Sequence, residues 1–564
     1  MTLRRDRRVL VAVAVASICL PLLFDAAVHG PRRVYDYFVA DAFAYLTVAR
    51  NGLVGGHPSF DQIHPTNGFH PLWQVILMPW VRAGTALGLD HVVLLWSVFA
   101  MGLVLTASGL GFLLAAACDR NIPRGEMLLT VAGLGAMTGL ALPLHRAFDG
   151  RPSYASTWAA VNGMETSLLV FFFGLTAWIF TRGGGRAFDR RAWGLGFAIT
   201  GLALSRLDHT LMSLVYVAAL FARAWLRRSR QALAGAVATA LPLVVVMTVY
   251  AAYNVVVFGA AVPISGRIKS SFPFLADTFP TLIAVLKGSQ EAWSGRLVRL
   301  LPLIVPMGVG AVFIALGVRL RYAQRVYTIQ FRSRRRFSVF LWLSCIGTGG
   351  LGVYNALFVP LFSQGTWYHA VANLTATIAL AEGFGRLPGW RRLARTRPGL
   401  VASATVSLAL VAVTFWARFP AVGHHHHYAR LDLDEGPRIV AHYRNAYGGE
   451  RFPYVLSFDD GIVAWSLPFP TMSRSLLLDP VAYRSMRRDN LCVMQVAVAR
   501  GFDHITSIDY WPPEQLRTDH QIRRIVAART RCSEDVMNDY RFHVDYRSGD
   551  GRMLVVRASK RSPP

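Results

Sequence analysis

Charged residues are scarce in this chain of 564 residues. They make up 16% of the sequence, against 53% apolar residues, whereas soluble domains carry about 25% charged residues. This balance excludes an ordinary soluble domain and indicates a membrane protein. Acidic residues are scarcer than basic ones, which leaves a formal net charge of +27. The basic residues separate apolar runs instead of gathering on one face among aromatic side chains, which argues against a nucleic-acid partner.

Lysine and cysteine are also rare. Only Lys269, Lys287 and Lys560 are lysine among the 59 basic residues, so the excess of arginine is by itself weak evidence for function. The five cysteines lack the CxxC spacing of a metal site. Cys492 and Cys532 lie in the polar C-terminal part, where they form either one disulfide, if the compartment is oxidising, or two free thiols.

Long apolar runs are abundant. A bilayer core about 30 Å thick needs about 20 apolar residues per helix, and eleven segments meet or approach this length. The first follows an arginine cluster without a cleavage site, which predicts a retained signal anchor. The eleven segments are residues 9–28, 92–117, 127–144, 166–181, 193–204, 210–226, 232–258, 300–318, 337–361, 369–384 and 399–417.

The distribution of arginine predicts the topology. A twelfth apolar stretch, residues 72–89, contains Arg82 and two glycines. When it is treated as a juxtamembrane helix and not as a span, every arginine-rich loop falls on the cytoplasmic side. We therefore expect a multi-pass domain at residues 1–417 with a cytoplasmic N-terminus and a first outer loop at residues 30–91. Residues 418–564 are then extracytoplasmic.

The C-terminal part differs in pattern from the rest. Residues 454–458 and 553–557 alternate as strands do, whereas residues 479–488 and 521–529 have helical spacing. The sequence therefore predicts a polytopic α-helical membrane protein of about eleven transmembrane helices with a C-terminal extracytoplasmic α/β domain.

The first outer loop is dense in polar residues that a simple tether does not need. Helical spacing places Asp41 and Tyr45 on one face, although an acid at a helix start can also be an N-cap. The loop candidates are Asp36, Asp41, Tyr45, Arg50, Asn67 and His70.

Two runs in this loop, ADAFAYLTVARN at 40–51 and FDQIHPTNGFHPLW at 60–73, resemble the first loop of bacterial membrane proteins of the GT-C glycosyltransferase superfamily. The first run departs from the paired acidic pattern of that family, because Ala40 occupies its first acidic position. The resemblance continues more weakly through residues 162–166, 205–208 and 254–269 and covers about half of the chain.

The resemblance implies a GT-C-like fold in the bacterial inner membrane and an inverting hexosyl- or pentosyltransferase. Its donor is a polyprenyl-phosphate sugar, and its acceptor is a glycan, lipid or protein of the cell envelope. Asp41 is the implied general base, with Asp36 as second choice. This chemistry needs a carboxylate to take the acceptor proton and cations to hold the departing phosphate.

The candidate cations are Arg206, Lys269 and Arg50. A guanidinium binds phosphate bidentately, but Arg206 is also placed to form a structural ion pair with Asp208. Lys269 follows a predicted span and can neutralise phosphate charge or extend toward lipid headgroups.

Other candidate substrate-binding residues are Asp208, Glu165, Trp367 and Tyr368. Glu165 lies at the start of a predicted span, where it can either bind sugar hydroxyls or interact with the helix dipole. The two aromatic residues can either stack on a sugar or belong to an aromatic belt at the membrane interface. Neither a metal nor a cofactor is expected. The alternative functions are a transporter or lipid-linked-sugar flippase, which would hold polar groups near mid-membrane, and a non-catalytic scaffold.

Overall fold

The computed structural model describes most of the chain, and its residues form two compact units. We call the described residues of Ser97–Ala252 and Lys269–Val422 the helical unit, and those of Arg32–Trp96, Tyr253–Ile268 and Gly423–Pro564 the loop–tail unit. The described residues are 27–117, 161–182, 189–272, 274, 308, 312, 332–360, 368, 370–384, 426–447, 452–458, 461–476, 479–508, 518–530, 532–548 and 553–561.

The described residues of the first loop, residues 30–91, contain three α-helices: α1 (Val34–Tyr37), α2 (Ala40–Gly55) and α3 (Pro71–Ala86). The predicted helix over residues 72–89 is therefore confirmed as α3. Trp73, Leu77 and Val81 form its buried face, whereas Val75 and Trp80 are exposed. These positions recur every three or four residues, as on one side of an α-helix.

Long apolar helices make up most of the helical unit. They are α4 (His91–Ala117), α5 (Thr166–Arg182), α6 (Arg190–Ser205), α7 (Thr210–Arg227), α8 (Arg230–Phe258), α10 (Arg332–Phe358) and α11 (Ala370–Phe384). The start of α4, the end of α8 and the short α9 (Ile264–Lys269), except Lys269, belong to the loop–tail unit. Their common core includes Phe173, Tyr216 and Phe340.

Within the described residues, four helical segments are long and apolar enough to cross a membrane: His91–Ala117, Leu207–Arg227, Arg230–Phe258 and Arg336–Phe358. The membrane class expected from the composition is thereby supported. The expected spans at 9–28, 127–144, 300–318 and 399–417 lie almost entirely outside the described residues.

Helices α4 and α5 cross at glycines. A Cβ atom on Gly174 of α5 would overlap the carbonyl oxygen of Gly109 of α4, and one on Gly109 would lie 2.5 Å from the carbonyl oxygen of Val170. Because glycine has no side chain, the two helix backbones can touch at this point. Small residues permit such close contacts between membrane helices.

The tail part of the loop–tail unit is a five-stranded mixed sheet covered by helices. The strands are β1 (Val455–Ser457), β2 (Thr471–Ser473), β3 (His504–Ile508), β4 (Tyr540–Arg547) and β5 (Met553–Lys560), in the order β2-β1-β3-β5-β4. Strand β1 pairs in parallel with β2 and β3, whereas β5 pairs antiparallel with β3 and β4. The predicted α/β character of the tail is confirmed.

The tail helices are α12 (His426–Arg430), α13 (Gly436–Ala446), α14 (Ile462–Ser466), α15 (Pro480–Asp489), α16 (Val493–Ala499), α17 (Asp519–Thr530) and α18 (Glu534–Asn538). Leu456, Ile505 and Val556 of the sheet pack with Val526 of α17 in one apolar core. A disulfide joins Cys492 and Cys532 at the margin of this core. The sequence left open either a disulfide or two free thiols, and the structure contains the disulfide.

Candidate functional site

The helical unit contains a buried charge cluster at the ends of three consecutive helices. Helix α6 ends at Ser205, and Arg206 follows in extended conformation before the turn Leu207–His209 leads into α7. Arg206 donates from Nη1 to Glu165 Oε1 at 2.8 Å, and from Nη2 to Asp208 Oδ2 at 3.0 Å. Because Glu165 immediately precedes α5, one guanidinium links both acids.

The side chains that form these contacts are shielded from solvent. The Arg206 side chain is 1% exposed and the Glu165 side chain is fully buried. Burial by itself lowers the pKa of Arg206, but the charges of Asp208 and Glu165 raise this pKa above its ordinary value. Burial raises the pKa of Glu165, and Arg206 opposes that shift. The ion pair that we considered for Arg206 and Asp208 is present, with Glu165 as a second acid.

Two further expected residues join this cluster. The guanidinium carbon of Arg206 lies 4.0 Å from the centre of the Tyr368 ring, and Lys269 Nζ donates to the Tyr368 hydroxyl at 3.1 Å. Lys269 is half-buried. The structure therefore brings together Glu165, Arg206, Asp208, Lys269 and Tyr368, whereas Trp367 lies outside the described residues.

The two candidate bases lie in the loop–tail unit and differ in environment. Asp41 is half-buried in the first turn of α2. The N-cap of α2 is Val39, so Asp41 is not the N-cap that the sequence left open. Asp36 is buried and pairs with Arg33 at 2.9 Å. An acid held by a buried arginine is poorly suited to accept a proton.

Other loop candidates form internal contacts in the loop–tail unit. The backbone N–H of His70 donates to the Tyr45 hydroxyl at 3.2 Å. The Asn67 amide donates to Asn254 Oδ1 at 3.0 Å and accepts from the Ile264 N–H at 3.2 Å. These bonds fix the Thr-Asn-Gly turn, which gives Asn67 a structural role in addition to the one expected for it.

Arg50 contacts the tail. Its terminal nitrogens donate to the carbonyl oxygens of Trp465 at 2.6 Å and Ala464 at 2.7 Å. Burial lowers the pKa of Arg50 to about 10, so the side chain stays protonated at neutral pH. Arg50 therefore has a structural contact with the end of α14, in addition to the phosphate-binding role expected for it.

Sequence reasoning missed Asp432 of the tail. Its fully buried carboxylate accepts a hydrogen bond from the Tyr35 hydroxyl and lies 3.0 Å from His91 Nδ1. Burial by itself raises the pKa of Asp432, but the contacts with His91 and Tyr35 hold this pKa below its usual value. About 400 residues separate Asp432 from Tyr35, so no local spacing signals the contact.

A second missed residue is Arg500, which follows α16. It donates to Asp61 Oδ2 of the first loop at 3.1 Å and also pairs with Asp479. His64 Nδ1 lies 2.7 Å from Arg500 Nη2 and 2.8 Å from Asp61 Oδ2. In the part of the chain that the structure describes, no group of three or more His, Cys, Asp or Glu residues is arranged to hold a metal ion.

Comparison with known proteins gives little further information. No protein-family model and no curated protein matches the chain. Among solved structures, it is similar to the crystal structure of an Archaeoglobus fulgidus oligosaccharyltransferase in complex with Zn and sulfate. The two share 13% sequence identity over 91% of this chain and 69% of that chain, with a TM-score of 0.43. Similarity of this size establishes neither a common fold nor a common activity.

Proposed function

We propose that this chain is a membrane glycosyltransferase of the bacterial inner membrane. It transfers a sugar from a polyprenyl-phosphate donor to a cell-envelope acceptor on the extracytoplasmic face, with inversion at the sugar carbon. Asp41 takes the proton of the acceptor hydroxyl, and Lys269 and Arg206 bind the donor phosphate.

One observation carries the donor part of this proposal: five expected donor-site residues form one cluster at arginine-poor helix ends. Glu165 precedes α5, Arg206 follows α6, and Asp208 precedes α7. The opposite ends of these helices carry Arg182, Arg190, Arg191 and Arg227. Arginine-rich ends are typically cytoplasmic, which supports an extracytoplasmic position for the cluster and argues against a transporter site at mid-membrane.

The chemistry of the cluster suits a phosphate. Arg206 has five N–H donors, and the acids engage Nε, Nη1 and Nη2 once each, which leaves one N–H on each terminal nitrogen. Lys269 adds a half-buried ammonium beside the Tyr368 hydroxyl. Positive groups fixed where charge develops on a leaving phosphate lower the barrier without reorganising during the reaction.

Asp41 is the better base for two reasons. It is half-buried and therefore partly accessible, and the competing acid Asp36 is buried against Arg33. Because Asp41 lies in the first turn of α2, the backbone of a helix fixes its position. A base that is fixed in this way favours proton transfer.

The test is transfer of radiolabel by purified protein in liposomes. A panel of polyprenyl-phosphate hexoses and pentoses serves as donor, and a cell-envelope extract serves as acceptor. Asp41→Asn is expected to lower transfer about 10²- to 10⁴-fold, the usual contribution of a general base. Asp489→Asn is the matched control, because Asp489 is exposed and pairs only at the surface with Arg488. Wild-type transfer by Asp41→Asn would show that Asp41 is not the base.

A further inference from the structure

The tail contributes one short helix, α14, that packs directly against α2. Gly461 is the N-cap of α14. A Cβ atom at this position would overlap the carbonyl oxygen of Ala40, and it would lie 2.5 Å from the nitrogen of Ala44 and 3.0 Å from the carbonyl carbon of Phe43. All three are backbone atoms of the first turns of α2, so they cannot move unless the helix moves.

The glycine is required for space and not for backbone conformation. Gly461 has a φ of −120°, which is outside the left-handed region that favours glycine. Because Gly461 has no side chain, α14 can contact the backbone of α2 on both sides of Asp41.

The contact continues along α2. Ala464 of α14 packs with Ala44 and Val48 in a small apolar cluster. One turn further on, Arg50 donates to the carbonyl oxygens of Ala464 and Trp465. Helix α14 thus contacts α2 from its first turn to Arg50, and this series of contacts fixes both the position and the direction of α2.

We propose that Gly461 is a positioning residue for Asp41. The inference rests on the proposed function, in which Asp41 is the base. A methyl group at residue 461 needs about 3.4 Å to a backbone atom where 2.5 Å is available. Helices α2 and α14 must therefore move apart by roughly 1 Å, and a misplacement of that size at the base can cost about 10²-fold in rate.

The experiment is a double-mutant cycle on the full-length protein in liposomes, with single-turnover rates so that slow variants are measured. Gly461→Ala is expected to lower kcat at least about tenfold, because the base is misplaced, while the donor KM changes less than about twofold. In the Asp41→Asn background the same methyl group is expected to change the rate less than about twofold, because the base is already absent.

Gly52→Ala is the matched control. It adds the same methyl group to α2 itself, where it meets the flexible end of Met78 at 3.0 Å. We expect its kcat to stay within about twofold of the wild type, because a flexible side chain can yield.

A second variant covers the case in which Gly461→Ala does not fold. Arg50→Met removes two hydrogen bonds between α2 and α14 without adding bulk, and it should show the same selective loss of kcat. The proposal is overturned if folded Gly461→Ala protein has wild-type kcat, or if its loss is equally large in the Asp41→Asn background. Failure of the proposed function is distinguishable, because the wild-type protein would then transfer no sugar or Asp41→Asn alone would be fully active.

Discussion

Replacing Arg206 by methionine tests whether the buried charge cluster is structural, catalytic or both. The substitution keeps much of the apolar stem and removes the guanidinium from Glu165, Asp208 and the face of Tyr368. Both acids are then left in a site that was built around a cation. Breaking a buried ion pair by removing one partner costs about 3–5 kcal/mol, mostly because the other charge stays buried without compensation. We therefore expect Arg206→Met to lower the free energy of unfolding by about 4 kcal/mol.

The origin of this loss can be tested by neutralising the acids as well. Because the cost comes from uncompensated charge, the triple variant Glu165→Gln/Arg206→Met/Asp208→Asn should recover part of the lost stability. Unfolding in detergent, followed by circular dichroism with increasing denaturant, measures all three proteins. An Arg206→Met protein within about 1 kcal/mol of the wild type, or a triple variant no more stable than the single one, would refute the electrostatic reasoning.

Transfer activity separates the two roles of the arginine. If Arg206 only stabilises the fold, the triple variant regains activity together with stability. If the cluster of Arg206, Glu165 and Asp208 also binds the donor phosphate, the triple variant stays inactive although it is folded. Lys269 is unchanged in every variant, so its contribution to donor binding is the same in all of them.

Two further predictions concern the loop–tail unit. Because the pKa of Asp432 is lowered in the folded protein, its stabilising contribution is present above its unfolded pKa of about 3.9 and is lost as the pH falls through the folded value. Asp432→Asn should therefore unfold about 2 kcal/mol more easily at pH 7, and denaturant curves below about pH 4 should show this difference disappearing. The Cys492–Cys532 bond closes a loop of 40 residues, so replacing both cysteines by serine should cost about 4 kcal/mol, and unchanged resistance of the tail to proteolysis would contradict this.

The secondary structure was largely predictable because it follows local pattern. The apolar runs at residues 92–117 and 232–258 correspond to α4 and α8, and the alternating run at 553–557 lies within β5. Local pattern was less informative about the cysteines. Their pairing depends on the tail fold, which brings two residues 40 positions apart into contact, so the sequence left both readings open.

Part of the candidate site was predictable because helix topology is regular. Glu165, Arg206 and Asp208 flank consecutive helices at the same end, and antiparallel neighbours bring such ends together. The role of Arg50 was not predictable in this way. A guanidinium binds carbonyl oxygens as well as phosphates, and only the fold shows that the carbonyl groups of Ala464 and Trp465 are its partners.

The largest gap concerns the relation between the first outer loop and the tail. The expected boundary at residue 417 marks the end of the apolar runs, yet Arg32–Trp96 and Gly423–Pro564 belong to one compact unit. The contacts that join them span about 400 residues, a separation over which hydrophobic periodicity carries no information.

The chemistry of those contacts indicates that each part stabilises the other. Asp432 has a fully buried carboxylate, and Tyr35 and His91 of the loop supply hydrogen-bonding groups to it. Arg50 is a half-buried cation of the loop, and carbonyl oxygens of the tail supply its acceptors. A buried charge without such partners costs several kcal/mol, so each charge at this contact needs the groups that the other part supplies. The two parts therefore stabilise each other, and the position of α2, with its proposed base, depends on residues that follow it by about 400 positions.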